Sequence, residues 1–127
     1  MPDAWRKYRG APADGTPVCT VAEVPEGGTL CLELGGFPLL IVRLEGSVRA
    51  FVNACPHQYL PLNHKGERLI SADRTILRCT NHAAGFSVET GEGVEGLGIG
   101  ECLDAVPVHL EAKTILIGNP PTNGDLT

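Results

Sequence analysis

Two short segments, Cys55-Pro56-His57 and Cys79-Thr80-Asn81-His82, carry the strongest information in this chain. Each segment offers one thiolate and one imidazole, and this donor set selects zinc or an iron–sulfur centre over calcium or magnesium. Zinc modules usually present like ligands as neighbouring pairs, Cys with Cys and His with His. The mixed order found here favours an iron–sulfur centre and leaves a structural zinc module as the alternative.

The two segments resemble the ligand motifs of the Rieske [2Fe-2S] family, C-x-H followed by C-x2-H. In that family two cysteines bind one iron and two histidines bind the other. The resemblance therefore implies that Cys55 and Cys79 hold an inner iron. It also implies that His57 and His82 hold an outer iron at the tip of the protein. Further positions that match the family are Pro61-Leu62, Phe86, Thr90-Gly91 and residues 24–28, 39–44 and 106–108.

The chain departs from the family pattern in its loops. The 21 residues between His57 and Cys79 exceed the commonest family spacing by a few, and we expect the surplus in a surface turn around residues 71–74. Tyr59 and Ala83 stand where the family often has glycine beside a ligand histidine. The backbone of the loops is therefore expected to differ at these two positions.

Four positions near the ligands bear on the reduction potential. Rieske proteins of respiratory complexes, which have high potentials, carry two further cysteines and two hydroxyl side chains beside the cluster. The resemblance places Leu60, Asn81, Ala84 and Phe86 at those positions. Because hydroxyl donors to sulfur stabilise the reduced cluster, their loss implies a potential in the lower half of the family range of about −150 to +300 mV.

The composition predicts a mainly β protein. Sixteen glycines and ten prolines in 127 residues, with few helical periodicities, are typical of short strands joined by tight turns. We expect a Rieske-like antiparallel β-sandwich or barrel-like base, with two cluster-binding loops at one end over about residues 54–66 and 78–91. A single domain should cover residues 16–118. An extension over residues 1–15, anchored by Trp5 and Tyr8, precedes it, and a flexible tail over residues 119–127 follows it.

Hydrophobic periodicity locates the strands that lead to the ligands. Leucines recur at every second position over residues 30–34, and Gly35-Gly36 then turns the chain. Residues 39–42 are continuously apolar, which predicts a strand covered on both faces. We predict a strand over residues 48–53 that leads to Cys55, and a hairpin of residues 68–71 with residues 75–78 that leads to Cys79. We also predict a strand over residues 86–89, a loop over residues 91–100, and pairing of residues 106–111 with residues 114–118.

The remaining histidines and cysteines are assigned structural roles. His109 alternates with apolar neighbours, so it is predicted to lie on a solvent-exposed polar face. His64 is predicted to be a loop residue. Cys19, Cys31 and Cys102 are predicted to be buried free thiols.

These features predict a one-electron carrier rather than a stand-alone catalyst. We expect a ferredoxin that passes electrons from a reductase to an oxygenase or another terminal enzyme. The alternative is a small electron-transfer subunit fixed in a larger oxidoreductase. The sequence favours no particular oligomeric state.

Charge and hydropathy narrow the list of partners. A formal charge of −5 argues against nucleic acid. The longest apolar run, residues 37–42, is too short to span a bilayer and no signal-peptide core precedes it, so we expect no membrane partner and a cytoplasmic location. Acidic residues that could steer a basic redox partner, or could simply form a solvated surface, are Glu89, Glu92, Glu95 and Glu101.

Overall fold

Three small antiparallel sheets make up the described part of the protein. The computed structural model describes residues 4–8, 10–44, 47–54, 70–71, 75–79, 84–96 and 99–118. The strands are β1 (Pro17–Thr20), β2 (Gly28–Leu34), β3 (Phe37–Leu44), β4 (Ser47–Val52), β5 (Ile76–Cys79), β6 (Ala84–Ser87), β7 (Gly93–Gly96), β8 (Val108–Glu111) and β9 (Thr114–Ile117). Strand order is β1-β9-β8 in the terminal sheet, β2-β3-β4 in the central sheet and β5-β6-β7 in the sheet that we call the Cys79 sheet, because Cys79 ends β5.

This architecture confirms the prediction of a mainly β, antiparallel fold. Two short 3₁₀ turns, Ala4–Lys7 and Val21–Glu23, are the helical elements of the described residues. Within the same residues, no helix combines the length and apolar character that a bilayer crossing requires.

Strand β3 is buried on both faces, as its apolar run predicts. Leu39, Leu40, Ile41 and Val42 are each 0% exposed. Because side chains alternate along a strand, Leu40 and Val42 face one apolar cluster while Leu39 and Ile41 face another. The central sheet is therefore the middle layer, with one core on each side.

Each core joins the central sheet to one neighbouring sheet. The core shared with the Cys79 sheet contains Leu40, Val42, Phe51, Leu77, Ala84, Phe86, Val88 and Leu103. The core shared with the terminal sheet contains Trp5, Val24, Phe37, Leu39, Ile41, Ala50, Val52, Ala54, Val106, Ile115 and Ile117. Burial of this apolar surface is the main driving force for stacking the three sheets.

Glycine makes the β2–β3 hairpin possible. Gly35 and Gly36 have φ angles of +57° and +92°. Two consecutive positive φ angles are what a two-residue hairpin turn of the right twist requires, and glycine adopts them without steric cost. The predicted turn is confirmed, and it sets the full pairing of β2 with β3, from Leu34 opposite Phe37 to Gly28 opposite Arg43.

The aromatic residues before β1 attach the amino-terminal segment to the body. Trp5 is fully buried, and its ring packs edge-on against Phe37 at a centroid distance of 6.2 Å. The Tyr8 ring lies 6.3 Å from Phe37 in the same manner, and its hydroxyl donates to Asp104 Oδ2 at 2.8 Å. Trp5 is thus part of the core that lies between the central and terminal sheets.

The prediction that residues 91–100 form a loop is wrong. Strand β7 (Gly93–Gly96) lies within this stretch and pairs with β6. Along this strand half-buried residues alternate with exposed ones, and Val94 is 48% exposed. The strand lacks the inward-facing apolar residues that mark half-buried strands, so pattern analysis missed it.

The predicted bounds of the neighbouring strands also change. The strand expected over residues 86–89 runs instead from Ala84 to Ser87, because backbone pairing to β5 begins opposite Cys79. For the expected hairpin before Cys79, residues 68 and 69 lie outside the described residues, and the described part is paired: Ile70 bridges Leu77, and Ser71 N donates to Ile76 O at 2.8 Å. The pairing predicted between the last two strands is confirmed, over Val108–Glu111 and Thr114–Ile117.

The prediction that His109 is solvent-exposed is wrong. Its side chain is only 10% exposed. The two ring nitrogens contact two acceptors: Nδ1 lies 2.8 Å from Gly118 O, and Nε2 lies 3.1 Å from Glu111 Oε2. These contacts hold the ring against the edge of the terminal sheet. The alternation of side chains along a strand does not predict such contacts.

The contacts of His109 make a pH-dependent contribution to stability. Only the imidazolium donates from both nitrogens, so the Gly118 carbonyl raises the pKa of His109 above its ordinary value; loss of hydration opposes this effect, and the Glu111 carboxylate adds to it. This stabilisation is fully present below the ordinary histidine pKa of about 6.5 and is lost as pH rises through the raised value.

We expect His109→Gln to remove part of the fall in unfolding free energy that occurs as pH rises from about 6 to about 8. Urea unfolding of both proteins across this range measures the difference. Glu111→Gln removes the carboxylate that contacts Nε2 but leaves the contact of Nδ1 with Gly118 O. It should therefore reduce the pH dependence of the unfolding free energy by a smaller amount than His109→Gln does. An unchanged slope in His109→Gln would contradict the assignment.

Candidate metal centre

The structure describes the supports of the predicted ligands rather than the ligands themselves. Cys55, His57 and His82 lie outside the described residues, and of Cys79 only the backbone is described, as the last residue of β5. Leu60 and Asn81 also lie outside them. Among the described residues no group of three or more His, Cys, Asp or Glu side chains could hold a metal ion. The four-ligand set therefore stays a prediction.

Backbone hydrogen bonds on both edges of β4 fix the approach to the first ligand segment. One edge pairs with β3. On the other edge, Val52 N donates to Asp104 O at 2.9 Å, and Val106 N donates to Ala50 O at 2.9 Å. Asn53 and Ala54 continue from the strand and are 6% and 8% exposed. The chain is thus buried and bonded up to the residue before Cys55.

The second ligand segment connects two paired strands. In the β5–β6 ladder, Cys79 lies opposite Ala84, and Leu77 lies opposite Phe86. Residues 80–83, which include His82, link these paired ends. Leu77, Ala84 and Phe86 are 0%, 2% and 1% exposed and pack into the core below the central sheet. Burial of one face therefore holds both ends of this segment.

The turn after β6 has two reasons to carry glycine at position 91. Gly91 has a φ of +81°, and a Cβ built there would lie 2.9 Å from Phe51 Cε1 and 3.0 Å from Leu103 O. The Ser87 hydroxyl closes the turn by accepting from Glu89 N at 3.2 Å and from Thr90 N at 3.4 Å. Since Phe51 belongs to β4, this turn brings together the elements that precede the first ligand segment and follow the second.

The acidic residues after the second segment do not form one uniform patch. Glu89 pairs with Arg49 at 3.0 Å, and Glu95 pairs with Arg78 at 2.8 Å. Glu92 and Glu101 are exposed and border an open groove that is also lined by Thr90, Gly93, Gly100 and Cys102. Arginine side chains therefore neutralise half of the predicted acidic cluster, which sequence position alone did not indicate.

None of the three cysteines outside the ligand segments is fully buried. Cys19 and Cys31 are half-buried and Cys102 is exposed, so the prediction of burial is wrong, most clearly for Cys102. Partial burial, followed by the negative charges of Asp104 and Glu92, raises the pKa of the Cys102 thiol. Partial burial likewise raises the pKa of Cys19. Raised pKa values keep these thiols protonated near neutral pH and weakly nucleophilic.

The fold and the set of donor atoms together indicate a class of protein. Strand β4 leads to a Cys-x-His segment, and the β5–β6 pair encloses a Cys-x2-His segment. Two thiolates and two imidazoles on such supports fit an iron–sulfur protein with mixed ligands.

Comparison with known proteins identifies the family. Residues 14–106 match the model of the Rieske [2Fe-2S] domain. The chain belongs to the Rieske [2Fe-2S] domain family, and the cofactor of that family is a [2Fe-2S] cluster. This protein is accordingly an electron-transfer protein of the ferredoxin type.

Individual relatives agree with this assignment. The chain is 32% identical over 104 residues to the ferredoxin component of the alkene monooxygenase system of Xanthobacter autotrophicus (strain ATCC BAA-1158 / Py2), covering 82% of this chain and 80% of that one. The fold is similar to the ferredoxin of carbazole 1,9a-dioxygenase from Nocardioides aromaticivorans IC177, with a TM-score of 0.68, 24% identity, and coverage of 83% and 99%. It is also similar to a chain in the complex of reduced oxygenase and oxidized ferredoxin in carbazole 1,9a-dioxygenase, with a TM-score of 0.65, 19% identity, and coverage of 80% and 90%.

Substitution of Gly91 tests how tightly the turn after β6 packs against Phe51 of β4 and against Leu103. Gly91→Ala should lower the unfolding free energy by about 3 kcal/mol, because it combines a left-handed non-glycine residue with overpacking against Phe51. Gly100→Ala is a matched control, since Gly100 has a φ of +92° but nothing within 4 Å of the added Cβ. The control should cost only about 1 kcal/mol. Equal costs in denaturant titrations would refute the packing argument.

Proposed function

We propose that this protein is the ferredoxin of an oxygenase system, taking one electron at a time from a reductase and passing it to a terminal oxygenase. The observation that carries the proposal is the match of most of the chain to the ferredoxin component of an alkene monooxygenase system. The likeness to a ferredoxin that forms a complex with an oxygenase supports it. We place this activity in the cytoplasm.

We propose that Cys55 and Cys79 bind the inner iron and that His57 and His82 bind the outer iron. Two features support this order. Cys55 directly follows buried Ala54, and Cys79 is itself a strand residue, so both cysteines adjoin bonded backbone of the body. Each histidine follows its cysteine along the chain, which suits ligands nearer to the protein surface.

The proposed ligand set has the charge that suits an electron carrier. Two thiolates carry two negative charges, whereas two neutral imidazoles carry none. When bound, a [2Fe-2S] cluster with this ligand set supplies a one-electron centre with a potential of about −150 to +300 mV, against about −400 mV with four cysteines. The contribution of the chain is to hold these four side chains on loops whose ends are anchored by β4, β5 and β6.

The functional unit that we propose is the domain over residues 16–118, with cluster-binding loops over about residues 54–66 and 78–91. In this division of the chain, residues 1–15 precede the domain and residues 119–127, which lie outside the described part of the structure, follow it. Exposed histidine ligands would let the partner approach closely, so that electron transfer needs no conformational change in the body.

Metal analysis tests the cofactor and its ligands. An anaerobic preparation should contain about two irons and about two acid-labile sulfides per chain, and should show a Rieske-type electron paramagnetic resonance signal after reduction by dithionite. His82→Ala should lose the signal, whereas His109→Gln should keep it, because both ring nitrogens of His109 are engaged elsewhere. Zinc without acid-labile sulfide would establish the structural zinc alternative instead. Purification with a stoichiometric partner would favour the fixed-subunit alternative.

The reduction potential provides a separate test. Ala84 and Phe86 are 2% and 1% exposed in the core and carry no hydroxyl to donate to sulfur, so we expect the midpoint potential in the lower half of the family range. His82→Cys, which adds a negative ligand, should lower the midpoint further, on the order of 100 mV. Redox titration monitored by visible absorption measures both values. A wild-type midpoint well above zero, or an unchanged midpoint in loaded His82→Cys, would contradict these assignments.

A further inference from the structure

Three residues from three strands stand side by side on the outer face of the Cys79 sheet. In the register of this sheet, Gly85 of β6 lies opposite Arg78 of β5 on one side and opposite Glu95 of β7 on the other. Arg78 Nε donates to Glu95 Oε1 at 2.8 Å, and Arg78 Nη2 donates to Glu95 Oε2 at 3.1 Å. The two outer strands are therefore joined by a bidentate ion pair that passes over the middle strand.

The absence of a side chain at Gly85 makes room for this pair. A Cβ built at Gly85 would lie 2.7 Å from Glu95 Oε1, 2.9 Å from Glu95 Cβ and 2.9 Å from Ile76 Cγ2. Gly85 does not have a positive φ, so its backbone conformation does not require glycine. Since neighbouring strands lie about 4.8 Å apart, β5 and β7 are separated by roughly twice that distance, and the joining side chains must extend across Gly85.

The ion pair lies next to the second ligand segment. Arg78 directly precedes Cys79, and Gly85 directly follows Ala84, the backbone partner of Cys79. On the opposite face, Leu77 and Phe86 pack into the core. Each strand of this sheet has only four residues, so its ladders are short. The core thus holds one face of the sheet, and the ion pair holds the other.

We propose that Arg78 and Glu95 are positioning residues for the iron–sulfur centre. Their ion pair, laid across Gly85, holds the end of β5 at Cys79 against β6 and β7, and it neutralises the Arg78 charge beside the ligand. The inference rests on the proposed ligand role of Cys79. It extends that role to residues that do not touch the metal.

The effect on cluster retention should be modest but measurable. Arg78 and Glu95 side chains are 52% and 42% exposed, and exposed ion pairs generally contribute little to stability. A bidentate arginine–carboxylate pair is the geometry in which such pairs do contribute. We therefore expect loss of the pair to speed cluster loss by about threefold.

The electrostatic part of the proposal has a signature that a purely structural role lacks. Reduction adds one negative charge to the centre, so a net gain of positive charge nearby raises the midpoint potential and a net gain of negative charge lowers it. Glu95→Gln removes one negative charge from this part of the surface, and Arg78→Gln removes one positive charge. The two single variants should therefore shift the midpoint in opposite directions, and the double variant should return close to wild type.

The experiment uses the full-length protein with its cluster. Iron loss to a chelator and the midpoint potential are measured for wild type, Arg78→Gln, Glu95→Gln and the double variant. Each variant should lose iron about threefold faster than wild type, with the double variant no faster than either single one, because all three lack the same interaction. Gly85→Ala, which forces the pair apart without removing a charge, should also lose iron faster.

Asp14→Asn is the matched control. It removes a carboxylate that forms an ion pair with Arg6 at 3.0 Å, on the segment that precedes β1 and outside both cluster-binding loops, and it should retain iron as wild type does. Midpoint shifts of the same sign in the two single variants, additive rates in the double variant, or rates equal to the control would each overturn the proposal. A wild-type protein without a Rieske-type signal would instead overturn the proposed function, and this inference with it.

Discussion

Burial of β3 on both faces is the constraint on which the rest of the structure depends. A strand whose side chains are apolar at successive positions must be covered twice, because alternate residues point to opposite faces of the sheet. Leu40 and Val42 require one covering layer, and Leu39 and Ile41 require another. The Cys79 sheet and the terminal sheet supply these layers, and the three-layer arrangement follows from this single strand.

The same constraint positions the candidate metal centre. Strand β4 pairs with β3 and leads to Cys55, while β5 and β6 pack below β3 and enclose the segment from Cys79 to His82. The turn at Gly91 contacts Phe51, so the supports of both segments share one core. A rigid double-sided core allows the loops to vary in length without moving the strand ends that carry them.

The sequence predicted strands correctly where apolar residues recur at a regular interval along the chain. The β2–β3 hairpin was predictable because leucines alternate before Gly35-Gly36 and an apolar run follows. Strand β7 was not predictable, since its glycines and exposed Val94 form no apolar face, and it is a strand because β6 offers it a free edge. His109 was misassigned for a related reason: strand alternation describes which face a residue occupies, but not whether its ring folds back onto Gly118 and Glu111.

Ligand order, family and cofactor class follow from the sequence, because they depend on which donor atoms occur and in what order along the chain. The mixed Cys-His segments differ from the usual zinc pairing and favour an iron–sulfur centre, and the family match agrees. The neutralisation of Glu95 by Arg78, the space at Gly85 and the contact of Gly91 with Phe51 required the folded chain. Each of these brings together residues from different strands or turns, and their proximity is set by burial of the whole core rather than by local sequence.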